Sequence, residues 1–162
     1  MKIIILLILM IYSFNLSAED ISKKNDNNLK NFMSIKTSKA NMRVGPSEDY
    51  PIILQYRYKN LPLKILGKYE NWLQVSDWKN NRGWMHISLL SNKRSAVINK
   101  SEGDFIDIFN KPNSKKIGKI GNGNVLNIKK CIDLWCLASI KDYKGWVKKD
   151  NLWGIIQNEQ FD

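Results

Sequence analysis

The chain has 162 residues, of which 43% are hydrophobic and 25% charged, a composition that fits one ordinary domain or two very small ones and argues against disorder throughout. Twenty-six Lys and Arg against fifteen Asp and Glu give a formal charge of +11, a surface suited to anionic partners. One His and two Cys leave little material for a metal cluster or a nucleophile–base pair, whereas six Trp and six Tyr point to aromatic-rich cores or binding faces.

The first eighteen residues read as a signal peptide. Met1-Lys2 gives a positive start, residues 3–11 are unbroken apolar sequence, and Ser17-Ala18 supplies the small residues of a cleavage site. The apolar run is too short to span a bilayer, which takes about 20 residues. The alternative is an uncleaved anchor, because Leu16 is large for its place in a cleavage site. Residues 19–33 are polar and charge-balanced, and read as a leader with little structure of its own.

From Ser34 onward the sequence breaks into short β-type runs punctuated by Gly, Pro, Asn and Asp: residues 34–37, 52–56, 63–66, 72–75 and 83–87. This pattern then repeats. Trp72-Leu-Gln-Val and Arg82-Gly-Trp-Met match Trp135-Cys-Leu-Ala and Lys144-Gly-Trp-Val, with Trp72 and Trp135 63 residues apart and Gly83 and Gly145 62 apart. Such a period is too long for a solenoid and suits two small all-β barrels in tandem, over 34–95 and 96–156, with 157–162 as a tail. Trp84 and Trp146 are expected to fill the two cores behind the glycines that precede them, and Leu89-Leu90 and Asn151-Leu152 to close each barrel with a short helical turn.

Cys131 and Cys136 enclose four residues. In an exported chain a turn of that length between two strands sets the two side chains opposite each other, and a disulfide is the expected state. Free thiols are the alternative. A metal site needs two more soft ligands, and His86 is the sole histidine.

The run Asn41-Met-Arg43-Val-Gly45-Pro46-Ser-Glu-Asp-Tyr50-Pro51 resembles the opening of bacterial SH3-type domains, and Asn71-Trp72, Asp77-Trp78, Gly83-Trp84 and Leu89-Leu90 follow in the order such domains show. In the second unit Cys131, Cys136, Gly145-Trp146-Val147 and Leu152-Trp153-Gly154 resemble the end of an exported two-copy SH3-like family typical of α-proteobacteria. The second unit is degenerate: Ile106-Asp-Ile-Phe-Asn-Lys-Pro112 lacks the Asn, Arg and Gly of the first. The resemblance implies an all-β fold of two tandem SH3-like barrels after the signal peptide. It also implies a binding role at the cell envelope, commonly linked to peptidoglycan, and it supplies no catalytic residues or cofactor.

Binding residues are sought in the first unit. Tyr50, Tyr56 and Tyr58 lie around its first loop, Trp72 starts a strand at a turn, and Trp78 sits in the polar stretch Asp77-Trp78-Lys79-Asn80-Asn81-Arg82. Aromatic walls with a polar rim suit sugar faces and extended peptides. Arg43 either holds its loop or meets an anionic ligand. Residues 34–95 carry eleven basic against four acidic side chains, and 96–162 eleven against eight, so the charge excess also favours the first unit. The expectation is a non-catalytic periplasmic module that recognises cell-wall glycan or peptide through Arg43, Tyr50, Tyr56, Trp72 and Trp78. The alternative is a structural adaptor docking other envelope proteins. Nucleic acid is not an expected partner of an exported chain whose lysines occur in pairs and not in a dense run.

Overall fold

A computed structural model describes residues 31–161; the expected signal peptide and most of the polar leader lie outside them. Fourteen strands form two seven-stranded sheets, with no α-helix among the described residues. The first sheet comprises β1 (Phe32–Ile35), β2 (Ala40–Arg43), β3 (Ile52–Tyr56), β4 (Pro62–Tyr69), β5 (Trp72–Ser76), β6 (Arg82–His86) and β7 (Leu90–Ser91). The second comprises β8 (Ser95–Ile98), β9 (Phe105–Phe109), β10 (Lys116–Gly121), β11 (Val125–Ile132), β12 (Trp135–Ile140), β13 (Tyr143–Lys148) and β14 (Leu152–Trp153). The strand orders β3-β2-β6-β5-β4-β1-β7 and β10-β9-β13-β12-β11-β8-β14 are the same path taken twice. Short 3-10 turns at Ile87–Leu89 and Lys149–Asn151 lead into β7 and β14; they begin two residues before the expected Leu89-Leu90 and Asn151-Leu152, whose Leu90 and Leu152 open the strands.

The repeat extends to irregularities. The long strand of each sheet carries a register shift at the same place, between Ile65 and Gly67 in β4 and between Ile128 and Lys130 in β11. A bulge adds twist and bends a strand, so one eight-residue strand can pair with both of its neighbours around a tightly curved sheet. Each sheet encloses its own core. The first includes Ile35, Met42, Leu63, Leu73, Val75 and Met85; the second includes Ile98, Ile108, Leu126, Cys131, Ala138 and Val147.

The placement of Trp84 and Trp146 corrects the sequence expectation. Along β6 the buried residues are Gly83 and Met85, and along β13 they are Gly145 and Val147; both tryptophans lie on the opposite face, half-buried. Strand alternation forbids three successive residues from sharing a face. The glycines are needed for a different reason. A Cβ at Gly83 would stand 2.5 Å from Met42 Cγ and 2.7 Å from the Arg43 carbonyl, and one at Gly145 would stand 2.6 Å from Ile108 Cγ1 and 3.0 Å from the Phe109 carbonyl. Each glycine lets the adjoining strand, β2 or β9, lie close across the barrel.

The disulfide joins Cys131 and Cys136, which are paired across β11 and β12 with Cα atoms 4.2 Å apart. Ile132 and Trp135 pair inside it, so the turn is only Asp133-Leu134, with Asp133 at φ 45°, tighter than the four-residue turn expected. Residues 157–161 fold back on this hairpin. Cys131 exchanges two backbone hydrogen bonds with Phe161, and the buried Lys149 ammonium donates to the Gln157 and Glu159 carbonyls.

The two barrels meet along β1, β4 and β8. Phe32 and Met33, read from sequence as leader, belong to β1, and the Phe32 ring stands edge-on to Trp153 at 5.2 Å. Ser34 Oγ donates to the Lys93 carbonyl at 2.6 Å and lies 2.5 Å from Ser95 Oγ. Val97 of β8 is fully buried in the core of the first barrel.

Candidate functional site

The turn between β5 and β6 is built around one carboxylate. Asp77 is 3% exposed. Its Oδ1 accepts from the backbone N–H groups of Lys79 and Asn81, each at 2.9 Å, and its Oδ2 accepts from Asn81 Nδ2 at 2.8 Å and from the Tyr56 hydroxyl at 3.0 Å. Asp, Asn and a residue at positive φ (Asn80, 64°) are the chemistry of a tight turn. Burial, with the adjacent Asp77 charge and hydrogen bond, holds the Tyr56 phenol well above the usual tyrosine range, so it stays a neutral donor. A buried carboxylate with four donors fixes the turn, and the turn fixes Trp78.

Trp78 is half-buried and forms one wall of a groove of about 500 Å³. The 57–61 loop brings Arg57 and Tyr58 to the same groove, and Tyr58 is 71% exposed. Lys79 Nζ lies 5.2 Å from the Trp78 ring centroid. Opposite stand Gly123 and Val125, from the β10–β11 turn and the start of β11. A Cβ on Gly123, at φ 78°, would come 3.9 Å from the tip of the Trp78 indole. The groove therefore has aromatic walls, an Arg57/Lys79 rim, and a carboxylate whose acceptors are already engaged by protein donors.

The residues singled out from sequence are divided among three places. Tyr56 and Trp78 share the groove, Tyr56 as a buried strut and Trp78 as a surface. Arg43 and Trp72 line a separate cleft of about 210 Å³ with Asn41, Glu48 and His86. There the Trp72 ring is 9% exposed and edge-on to His86 at 5.3 Å, while Arg43 Nη1 donates to the Tyr50 carbonyl at 2.7 Å, tying down the 44–51 loop. Tyr50 lies apart from both, its ring over Gly45, where any Cβ would come within 2.7 Å of it. The sequence places most of the recognition in the first barrel; in the structure the groove is shared, and Arg57, Gly123 and Val125 join it. The last two have no local signal, since they meet Trp78 only when the barrels dock.

No curated protein matches the sequence significantly. The solved structures to which the chain is similar include NlpC2 from Trichomonas vaginalis (13% identity, TM-score 0.35, 77% of this chain and 48% of that one), NlpC1 from the same organism (13%, 0.34, 76% and 45%), and an NlpC/P60 family protein from Bacillus cereus ATCC 10987 (12%, 0.33, 75% and 55%). The chain spans about half the length of these structures. The family model described as bacterial SH3 domain matches residues 36–92 and 110–154, the second match starting beyond β9, where the second unit departs from the first. With two matched segments that together cover more than half of its length, one in each barrel, the chain belongs to the bacterial SH3 domain family.

Proposed function

We propose that the protein is an exported, non-catalytic module of the periplasm that recognises cell-wall peptidoglycan through the groove between its barrels. The observation that carries this reading is the pairing of Trp78 and Tyr58 with Arg57 and Lys79 around one groove. Flat aromatic faces suit sugar rings and extended peptide, and the two cations suit the carboxylates of acidic stem peptides. Membership of the bacterial SH3 domain family supports a binding role. A non-catalytic role is supported by the oxidation of both cysteines in one disulfide, which leaves no free thiol among the described residues. Among the described residues no helix is long and apolar enough to cross a membrane.

The test is co-sedimentation with purified peptidoglycan at low salt. Wild type is expected in the pellet, and Trp78→Ala and Tyr58→Ala are each expected to weaken retention about tenfold, in line with loss of one stacked aromatic contact. Absence of binding rejects wall recognition, and retention indifferent to both substitutions rejects the groove as its site. In the former case, in-cell crosslinking that recovers a single envelope protein would favour the adaptor reading.

A further inference from the structure

The second barrel has its own version of the Arg43/Trp72 cleft, and its chemistry is different. Strand pairing sets Phe109 at the register of Arg43, since each faces the tryptophan that follows the buried glycine, Trp146 and Trp84. By the same pairing Lys148 stands where His86 does, each opposite the first residue of its neighbouring strand, Trp135 and Trp72. Lys116 and Lys119 stand where Ile52 and Gln55 do, opposite Phe109 and Asp107 as those face Arg43 and Asn41. Three positions that are apolar, amide and imidazole in the first barrel are thus all lysine in the second.

These lysines converge with Lys100 on a cleft of about 360 Å³. Asp107 is its one lining carboxylate, and Lys116 Nζ holds it at 2.6 Å. Lys116, with Lys119 and Lys100 nearby, keeps Asp107 below the usual carboxylate range, so it remains ionised and the four ammonium groups leave an excess of three positive charges. Lys100 is anchored at its backbone: its N–H donates to Asn122 Oδ1 at 3.0 Å and its carbonyl accepts from Asn122 Nδ2 at 3.2 Å. Phe105, 56% exposed, and Phe109, edge-on to Trp135 at 5.2 Å, add an apolar side.

We infer that this cleft is an anion site, distinct from the groove, that takes the phosphate monoester of an organic ligand. A monoester carries about −1.5 to −2 at neutral pH, which matches the charge excess better than a single carboxylate does. Clustered lysines act on phosphate as compact point charges, and the cations that line the cleft are all lysines. The exposed Phe105 ring is placed for the organic part of the ester.

The experiment titrates the protein with phenyl phosphate and with benzoate, which share the ring and differ in the anion, following backbone amide shifts. Phenyl phosphate is expected to bind at least tenfold more tightly, with shifts centred on Lys100, Phe109, Lys119 and Lys148. Replacing Lys119→Gln and Lys148→His together, which installs the first barrel's residues at exposed positions, is expected to weaken binding at least tenfold without changing the melting temperature. Lys79→Gln, in the groove, is expected to leave it unchanged. Vesicles of phosphatidylcholine containing phosphatidic acid separate the sources of the ester: retention lost in the double variant assigns it to a lipid headgroup, and phenyl phosphate binding without retention assigns it to a soluble ester. Equal affinity for benzoate, or equal losses in the Lys79 variant and the double variant, would overturn the proposal.

Discussion

At the scale of single residues, Asp77 contributes more to the groove than any aromatic side chain in it. Replacing it with Ala leaves two turn N–H groups, an amide and the Tyr56 hydroxyl without their acceptor. Asp77→Ala is expected to destabilise the protein by about 2–4 kcal/mol in urea unfolding, and to reduce peptidoglycan retention because Trp78 loses its mount. Tyr56 gives a test with a pH signature. Its folded pKa is raised, so its contribution is fully present below the unfolded value near 10 and is lost as pH rises beyond it. Tyr56→Phe is expected to cost about 1–2 kcal/mol at pH 7, and the gap between wild type and variant is expected to close above pH 10 by about 1.4 kcal/mol per pH unit. A gap that stays constant to pH 11.5 would show that the phenol ionises as easily folded as unfolded. That Asp77 begins a turn is readable from its neighbours; that its carboxylate reaches 21 residues back to Tyr56 is not, because no local pattern encodes a tertiary hydrogen bond.

At the scale of elements, the alternation along each strand decides what the composition leaves ambiguous. The run Ile52–Tyr56 is a strand with the bounds its pattern predicts, and the duplicated Gly-Trp strands are duplicated in space. The outward turn of Trp84 was also present in the alternation, with Gly83 and Met85 on the other face; ranking residues by size alone hides it. Gly83→Ala and Gly145→Ala are each expected to cost about 2–3 kcal/mol through overpacking against a crossing strand. Gly67→Ala, whose nearest neighbour would be Gln74 Oε1 at 3.6 Å, is expected to be nearly neutral. Equal effects at all three glycines would mean that backbone entropy, and not close approach, sets the requirement. The hairpin disulfide closes a short loop, so reducing it is expected to cost roughly 2 kcal/mol by denaturant midpoint, and to loosen the 157–161 segment that pairs with Cys131.

For the whole molecule, duplication explains the fold and docking explains the groove. The period of 63 residues exposes two like units in the sequence, but which surfaces they press together depends on side chains far apart in the chain. Gly123 and Val125 therefore enter the groove unannounced, and Phe32 reads as leader until Trp153 is set against it. Barrels of about 60 residues bury too little surface to be robust alone. Here Val97 belongs by chain to the second barrel and by packing to the first, while Phe32, Ser34 and Ser95 bind the seam. The two barrels are accordingly expected to unfold as one cooperative unit. Val75→Ala, in the first core, and Val147→Ala, in the second, should each lower the same calorimetric transition, by about 1.5–3 kcal/mol. Val97→Asp buries an unpaired charge at the seam and should lower it by more than either. Two transitions, each moved by only one of the valine-to-alanine changes, would mean that the barrels fold separately; the Trp78–Gly123 groove would then exist only while they remain docked.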